Sequence, residues 1–409
     1  MPSVFSRKYD QDQLLENLKL EKHPGRRAWY TTTIRRLADG TNDVSRNGGN
    51  NTENRDIFRD HPKEWKEYLQ TGQQGLIDAL EKETDPEVRA TIAWELYCMT
   101  AIDHVCHMPE RSDASAYILN GQKAIIAALS KETNSKTRGK LSGNITSLTN
   151  KEEFYRYMTE EEAATYITAS QQASIAAFKK EKDPKTIQVL AESLHMLTYD
   201  AHSVLQYLPV EKRSNHLAQA RDAYIEVLRQ GQDKETSEKI IGELVQTVSS
   251  AYSLSVLGYD DQKTYASKSL VALSMERDTA TNENSTETAA YFQNTIDQAL
   301  KVESFYSLID HEDLQSAGYL DITGKTGAEL DKQLAVMEMF LKNRISATEH
   351  TACDRILEEK MTLMEQEFSK EKTGMTSNLA TLSENQQILL DYNKIRTMRT
   401  KCTMSYAKI

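Results

Sequence analysis

Residues 79–96 read ALEKETDPEVRATIAWEL, and two related stretches follow at intervals of 49 residues. These are ALSKETNSKTRGKLSGNI at 128–145 and AFKKEKDPKTIQVLAESL at 177–194. On both sides of the central KETDPE segment, apolar residues recur at spacings of three and four, as at Val88 and Ile92. Such spacing is typical of amphipathic helices. Each stretch therefore predicts the end of one helix, a short turn and the start of a second helix.

The turn itself has the chemistry of a helix start. Asp85 is suited to cap a helix N-terminus, and Pro86 is suited to the first helical position, where no N–H is needed. Glu87 then complements the positive end of the helix dipole. Asn134 and Asp183 stand at the position of Asp85 in the later copies. Because only about four residues join the two helices, each copy predicts an antiparallel pair.

Two weaker copies extend the array. The stretch 226–245 places Asp233 fifty residues after Asp183, and the stretch 271–296 contains an insertion before a cap at Asn284 or Ser285. A supersecondary unit repeated at a fixed period indicates an α-solenoid. Over about 65–310 the sequence resembles the HEAT and armadillo class, whose units are helix pairs of similar length. That resemblance implies a stack of helix pairs with an extended binding surface.

The rest of the chain is also predicted to be helical. After Pro209 there is no proline, and no run of residues alternates convincingly in the manner of a β-strand. We expect an all-α protein in three parts: an N-terminal basic helical and loop segment at 1–64, a solenoid of about five helix pairs with a repeat of about 49 residues at 65–310, and long helices at 311–409. The last part forms either a bundle that caps the solenoid or a coiled-coil-like dimerisation arm.

Charge and composition limit the function classes. The net charge is −11, and both termini are basic, so the acidity lies in the body of the chain and disfavours nucleic acid over most of its surface. The four cysteines are scattered, which favours reduced thiols and a cytoplasmic location. No apolar run is long enough to span a membrane, and no secretory signal is visible.

The sequence offers little catalytic or metal-binding chemistry. Cys98, His104, Cys106 and His107 form the densest cluster of possible zinc ligands, but their spacing does not bring four ligands together. Phosphate-binding loops, dinucleotide fingerprints and hydrolase motifs are missing from the sequence. We therefore expect no cofactor, no metal and no catalytic residues. The alternative is an enzyme with an unrecognised site in the N-terminal region or near 311–330.

The leading hypothesis is a non-enzymatic scaffold or adaptor that acts as a subunit or regulator of a larger complex. A protein partner with basic segments would lie along an acidic groove formed by the second helices. The segment HPGRRAWYTTTIRR at 23–36 predicts an interface rich in Arg and aromatic residues, a capping helix, or an anion-binding surface. Nucleic-acid binding through the basic N- and C-terminal segments is a further alternative, and the oligomeric state stays open. The residues predicted to contact a partner are Arg26, Arg27, Trp29, Tyr30, Arg89, Glu95, Arg138, Gln188, Glu192, Glu238 and Glu243.

Overall fold

The structure is a computed structural model in which the described residues form helices, turns and short connections, with no strand among them. The predicted all-α architecture of helix pairs is confirmed. The chain divides into two compact units, Met1–Thr247 and Val248–Ile409. The residues that the structure describes are 4–38, 61–100, 105–106, 108–198, 204–319, 322, 325–343, 355–366 and 390–399.

Among its described residues, the first unit contains five antiparallel helix pairs, each with a long first helix and a shorter second helix. Helices of the same kind pack against each other from pair to pair, so the unit has two layers. The first helices are α1 (Val4–Leu20), α3 (Pro62–Lys82), α5 (Arg111–Lys131), α7 (Glu160–Lys180) and α9 (Val210–Arg229). The second helices are α2 (Pro24–Ala38), α4 (Pro86–Met99), α6 (Ser135–Thr149), α8 (Pro184–Met196) and α10 (Lys234–Ser249), the last of which extends past Thr247, where the first unit ends.

The caps of the second helices are as predicted. The carboxylate of Asp85 accepts hydrogen bonds from the backbone N–H groups of Glu87 and Val88, both at 3.0 Å. Such a cap contributes about 1 kcal/mol to helix stability. In the later pairs the capping side chains accept the N–H group three residues further on, and these residues are Asn134, Asp183 and Asp233.

The core lies between the two layers and repeats with the sequence. Near the ends of the first helices, Leu80, Leu129 and Phe178 occupy the same position of successive pairs and are buried. Each such side chain contributes roughly 1.5–3 kcal/mol through removal of apolar surface from water. In the second helices the corresponding buried residues are Leu96, Ile145 and Leu194.

Helices α1 and α2 form a pair of the same kind as the predicted repeats, although the sequence pattern assigned residues 1–64 to a separate segment. They pack against α3 and α4. Glu21 accepts the backbone N–H of His23 at 2.8 Å, as Glu83 accepts that of Asp85 at 2.8 Å. The corresponding residues lie 62 positions apart instead of 49, because residues 39–60 lengthen the connection. These intervening residues, where a loop was predicted, lie outside the described residues.

Among its described residues, the second unit begins with a short helix, which is followed by a helix pair of 24 and 14 residues, two short helices and a helix of 17 residues. Ser285 stands at the N-cap position of the second helix of that pair, as predicted for Asn284 or Ser285, although its side chain makes no capping hydrogen bond. The helices are α11 (Ala251–Ser255), α12 (Tyr259–Asn282), α13 (Thr286–Ala299), α14 (Glu303–Tyr306), α15 (His311–Ser316) and α16 (Gly327–Asn343), with further helical residues at 355–366 and 390–399.

The C-terminal helices of this unit contact one another. The hydroxyl of Tyr306 donates to the carbonyl oxygen of Val336 in α16 at 3.1 Å. At the start of α16, the N–H of Gly327 donates to Asp391 at 2.8 Å. These contacts join α16 and residues 390–399 to other helices of the same unit. A role of these helices as a cap on the solenoid stays a prediction. A dimerisation role for the C-terminal helices stays a prediction.

Candidate partner-binding face

Arginines of the second helices are ion-paired with glutamates that end the first helices of the next pair. The three glutamate side chains are almost fully buried, with exposed fractions of 3%, 0% and 2% along the chain. Each ion pair thereby joins two successive helix pairs. The three ties are Arg27–Glu83, Arg89–Glu132 and Arg138–Glu181.

Each glutamate is also held by the backbone of its own turn. One carboxylate oxygen of Glu132 accepts the N–H groups of Thr133 and Asn134, both at 2.8 Å, while the other accepts Arg89. At the preceding turn, burial raises the pKa of Glu83, but hydrogen bonds from Arg27 and the backbone hold it below its ordinary value. Burial likewise raises the pKa of Glu181, but hydrogen bonds from its turn, from Ser135 and from Arg138 outweigh burial and lower it. All three carboxylates are engaged within the chain. Arg89, Arg138 and Arg27, predicted to contact a partner, serve here as ties between repeats.

A second ladder runs through the first helices. Gln73, Gln122 and Gln171 are buried and lie 49 residues apart. The amide of Gln122 donates to the backbone carbonyl of Tyr166 in the next first helix at 2.7 Å, and the other two make the equivalent bond. Gln11 occupies the same position in α1 and is also buried. Sequence reasoning missed this ladder, although a Gln ten residues before Glu83, Glu132 and Glu181 was a visible signal.

Other predicted contact residues are also engaged within the chain. Glu95 is buried and accepts hydrogen bonds from Thr32 at 2.7 Å and Arg35 at 2.8 Å. Gln188 donates to Thr236 in α10 at 3.1 Å. These contacts join α2 to α4 and α8 to α10.

Glu243 makes a similar tie from α10 back to α8. Its carboxylate lies 2.8 Å from Nδ1 of His195 and 2.6 Å from Nζ of Lys239. Burial raises the pKa of Glu243, but His195 and Lys239 bring it below its ordinary value. Of the predicted glutamates, Glu192 and Glu238 are the exposed ones. A role of any of these residues in partner binding stays a prediction.

The solvent side of α2, α4, α6 and α8, called here the second-helix face, carries two half-exposed tryptophans. Trp29 and Trp94 each have an exposed fraction of 51%. Trp29 packs edge-to-face on Tyr30 at 5.1 Å, and Trp94 lies 5.2 Å from Tyr97 between ring centroids. Since Glu95 ties α4 to Thr32 in α2, the two tryptophans belong to neighbouring helices. Arg26, also predicted to contact a partner, is largely exposed at the start of α2.

The charge of this face differs from the predicted acidic groove. Helices α2, α4, α6 and α8 contain nine Lys and Arg residues against three Glu residues. Three of the nine, Arg27, Arg89 and Arg138, pair with the buried glutamates described above, which leaves an excess of positive charge for the rest of these helices. Helices α1, α3, α5 and α7 contain eleven of each sign. The acidity is instead concentrated in residues 248–389, whose net charge is −11. The prediction of an acidic groove used the net charge of the whole chain. That net charge does not show how the charged residues are divided between the first and second helices.

Helical glycines fall into two groups by what surrounds them. A Cβ on Gly121 would lie 2.4 Å from the hydroxyl of Thr100, and one on Gly72 would lie 2.4 Å from Met99. At Gly121 the close neighbour belongs to the preceding helix pair, whereas at Gly72 it belongs to the second helix of the same pair. On α6 and α10, by contrast, a Cβ on Gly143 or Gly242 would meet no atom within 4 Å.

This difference predicts opposite effects of one substitution. Gly143→Ala should stabilise the first unit by up to about 1 kcal/mol, because alanine favours the helix and meets no neighbour. Gly121→Ala should destabilise it by about 1–3 kcal/mol, because Thr100 must move. Urea unfolding followed by tryptophan fluorescence measures both changes, since all three tryptophans lie in the first unit. If Gly143→Ala and Gly121→Ala changed the free energy of unfolding equally, the packing described around these two glycines would be wrong.

The first-helix layer contains clefts between neighbouring helices. A cleft of about 510 Å³ lies between α3 and α5, with an apolar floor that includes Ile77, Ala124 and Ala128. The corresponding cleft between α1 and α3 has a volume of about 430 Å³. The Arg27–Glu83 ion pair lines this second cleft, so these charged groups are already neutralised by each other.

The predicted alternatives can be placed in the structure. Near 311–330, the hydroxyl of Tyr319 donates to Asp297 at 2.6 Å. Burial and this carboxylate raise the pKa of Tyr319, which keeps the phenol protonated.

No group of three or more possible metal ligands occurs among the described residues. His104 and His107 of the predicted cluster lie outside them. The enzyme alternative stays untested.

Comparisons with known proteins identify no family. No protein-family model and no curated protein matches the sequence. Among solved structures, the chain is similar to one described as a computational design of self-assembling cyclic protein homooligomers, at 13% identity over 73% of this chain and 93% of that one, with a TM-score of 0.21. A circular tandem repeat protein with novel repeat topology is similar at 10% identity over 99% and 84%, with a TM-score of 0.23. The fold assignment rests on the described helices. None of these helices is long and apolar enough to cross a membrane.

Proposed function

We propose that this chain is a non-enzymatic scaffold or adaptor that binds a partner protein through its second-helix face. The observation that carries this function is the pair of half-exposed tryptophans, Trp29 and Trp94, on neighbouring second helices. Tryptophan and arginine are enriched among the residues that dominate binding energy at protein interfaces. Arg26 lies one turn before Trp29 and is largely exposed, so both residue types are present.

The ties between repeats support the same function. The Arg–Glu and Gln ladders fix each helix pair against the next through buried, directional contacts. A surface that is already ordered loses less conformational entropy when it binds. Repeat arrays of this kind offer extended surfaces on which contacts are distributed over several repeats. In this proposal the buried ionisable groups order the surface and perform no catalysis.

Replacement of both tryptophans by alanine should weaken partner binding at least tenfold. Loss of a buried aromatic anchor costs about 2 kcal/mol or more, which corresponds to roughly thirtyfold in the dissociation constant. The full chain and the Trp29→Ala, Trp94→Ala double variant are immobilised, and proteins retained from an extract of the source organism are quantified by mass spectrometry. Calorimetry with the purified partner then gives the dissociation constant.

The matched control is the Tyr9→Ala, Leu20→Ala double variant, which removes two exposed apolar side chains from the first helix α1. It should retain the partner like the unaltered chain. Circular dichroism checks that all three proteins are equally helical. If the tryptophan variant retains every protein that the control retains, the proposed face is wrong. A partner that is released as a chemically altered product would favour an enzyme instead.

A further inference from the structure

Lysines of α6 and α8 give the second-helix face an excess of positive charge near Trp94. Lys136 and Lys140 both contact the single carboxylate of Glu87, at 3.1 and 2.9 Å. One carboxylate balances one of these two ammonium groups. Lys185 of α8 is exposed at the position that Lys136 occupies in α6. The surplus cations are accessible to solvent, where a partner carboxylate can reach them.

Beside these lysines, Trp94 lies next to a helix position without a side chain. Trp94 and Gly143 occupy the same position of successive pairs, eleven residues after Glu83 and Glu132. A glycine inside a helix costs about 1 kcal/mol relative to alanine. Internal packing does not require Gly143, because an added Cβ would meet nothing within 4 Å. The arrangement leaves space over Gly143, called here the notch, at the position that follows Trp94 in the repeat register.

We propose that the surface formed by Trp94, Lys136, Lys140, Gly143 and Lys185 binds an acidic segment of a partner protein. An apolar side chain of that segment packs on Trp94 over Gly143, and its carboxylates face the three lysines. This inference rests on the proposed function and specifies the chemistry of the partner, which is opposite in charge to the sequence prediction. Charge complementarity of this kind gives specificity and fast association.

A protein segment fits this surface better than nucleic acid does. The carboxylates of Glu87 and Glu192 interrupt the lysines, and they would repel a continuous phosphate backbone. The chain as a whole carries a net charge of −11, which opposes the approach of a polyanion along its length. A short acidic segment with an apolar anchor avoids both costs.

The test uses fluorescence anisotropy with the full chain at about 100 mM salt, where exposed charges still interact at close range. The probe is a fluorescein-labelled peptide of Glu, Leu and Ala. Matched probes carry Gln or Lys in place of Glu, and a fourth probe is a single-stranded RNA. We expect the Glu peptide to bind at least tenfold more tightly than each of the others.

Two variants test the surface, each with a matched control. Lys136→Glu, Lys140→Glu should weaken binding of the Glu peptide at least tenfold, whereas Lys63→Glu, Lys123→Glu on the first helices should leave it unchanged. Gly143→Leu places a side chain in the notch, at a position where an added Cβ meets no neighbour, and should weaken binding at least tenfold. Gly242→Leu makes the same change on α10, where a Cβ is equally unobstructed, and should have no effect. If the lysine variant is poorly folded, the glycine pair decides alone.

Equal binding of the Glu and Gln peptides, tighter binding of RNA, or equal effects of the two glycine substitutions would overturn this inference. The proposed function fails separately. If the extract experiment loses its partner with the tryptophan variant while the peptides show no preference, the scaffold function stands and the acidic partner is wrong. If binding depends on neither the tryptophans nor the lysines, both proposals fall.

Discussion

Replacement of Glu132 by alanine is expected to destabilise the first unit by about 3–5 kcal/mol, the cost of breaking a buried ion pair from one side. Glu132 is fully buried and accepts Arg89 from the preceding pair together with two N–H groups of its own turn. Its removal leaves the Arg89 guanidinium without its carboxylate and both N–H groups without an acceptor. The substitution therefore weakens the turn and the contact between repeats at once.

Urea unfolding monitored by tryptophan fluorescence measures this change, because Trp29, Trp65 and Trp94 all belong to the first unit. Glu81→Ala is the matched control, since this exposed glutamate lies near the end of α3 and should change stability by less than about 0.5 kcal/mol. The double variant Arg89→Met, Glu132→Met should be more stable than Glu132→Ala, because neither charge is then left alone. A loss below about 1 kcal/mol for Glu132→Ala would show that the ties do not hold the repeats together.

The helix boundaries could be predicted from the sequence because their causes are local. Asp85, Asn134 and Asp183 cap helices through N–H groups two or three residues away, and the pattern of apolar residues follows the helical period. The pair formed by α1 and α2 was harder to see. Residues 39–60 interrupt the 49-residue spacing, so the α1–α2 pair does not match the period of the later helix pairs.

The partners of the polar residues could not be predicted in the same way, because they lie in neighbouring repeats. A charged residue on the polar side of a helix has the same local pattern whether it faces solvent or another helix. A signal was nevertheless present in the chain. Glu83 and Glu132 are each followed six residues later by an arginine, but Ile187 stands at that position after Glu181. In the next helix pair, Gly231 stands at the position where a glutamate would pair with that arginine. The arginine and the glutamate of the ion pair are therefore both absent at this step of the array.

The same comparison between repeats explains His216. The first helices carry Tyr68, Tyr117 and Tyr166 at intervals of 49, and His216 follows fifty residues later. Its backbone carbonyl accepts the amide of Gln171, as the carbonyls of Tyr117 and Tyr166 accept the amides of the two preceding glutamines of the ladder. Its ring lies 3.1 Å from the carbonyl oxygen of Leu197. The last hydrogen bond of the Gln ladder therefore ends on the backbone of a residue whose side chain is titratable.

We expect this histidine to make the first unit lose roughly 3 kcal/mol of stability between pH 6.5 and pH 4, at about 1.4 kcal/mol for each unit of pKa shift. Burial lowers the pKa of His216 from 6.5 to about 4, although the hydrogen bond to Leu197 opposes this shift. In that pH range the unfolded chain binds a proton that the folded chain does not, so acidification favours unfolding. Above pH 6.5 the histidine is neutral in both states and contributes no pH dependence, and below pH 4 its contribution is constant.

The measurement is the free energy of unfolding from urea titrations at several pH values, for the unaltered chain and for His216→Gln. Glutamine keeps an N–H donor but does not titrate, so its stability should fall less steeply below pH 6.5. Buried carboxylates such as Glu83 and Glu181 also lose stability in acid, but they do so equally in both proteins and cancel from the difference. His23→Gln, at an exposed position between α1 and α2, should leave the slope unchanged. Parallel curves for the unaltered chain and His216→Gln would mean that the buried imidazole can accept a proton without unfolding the repeat.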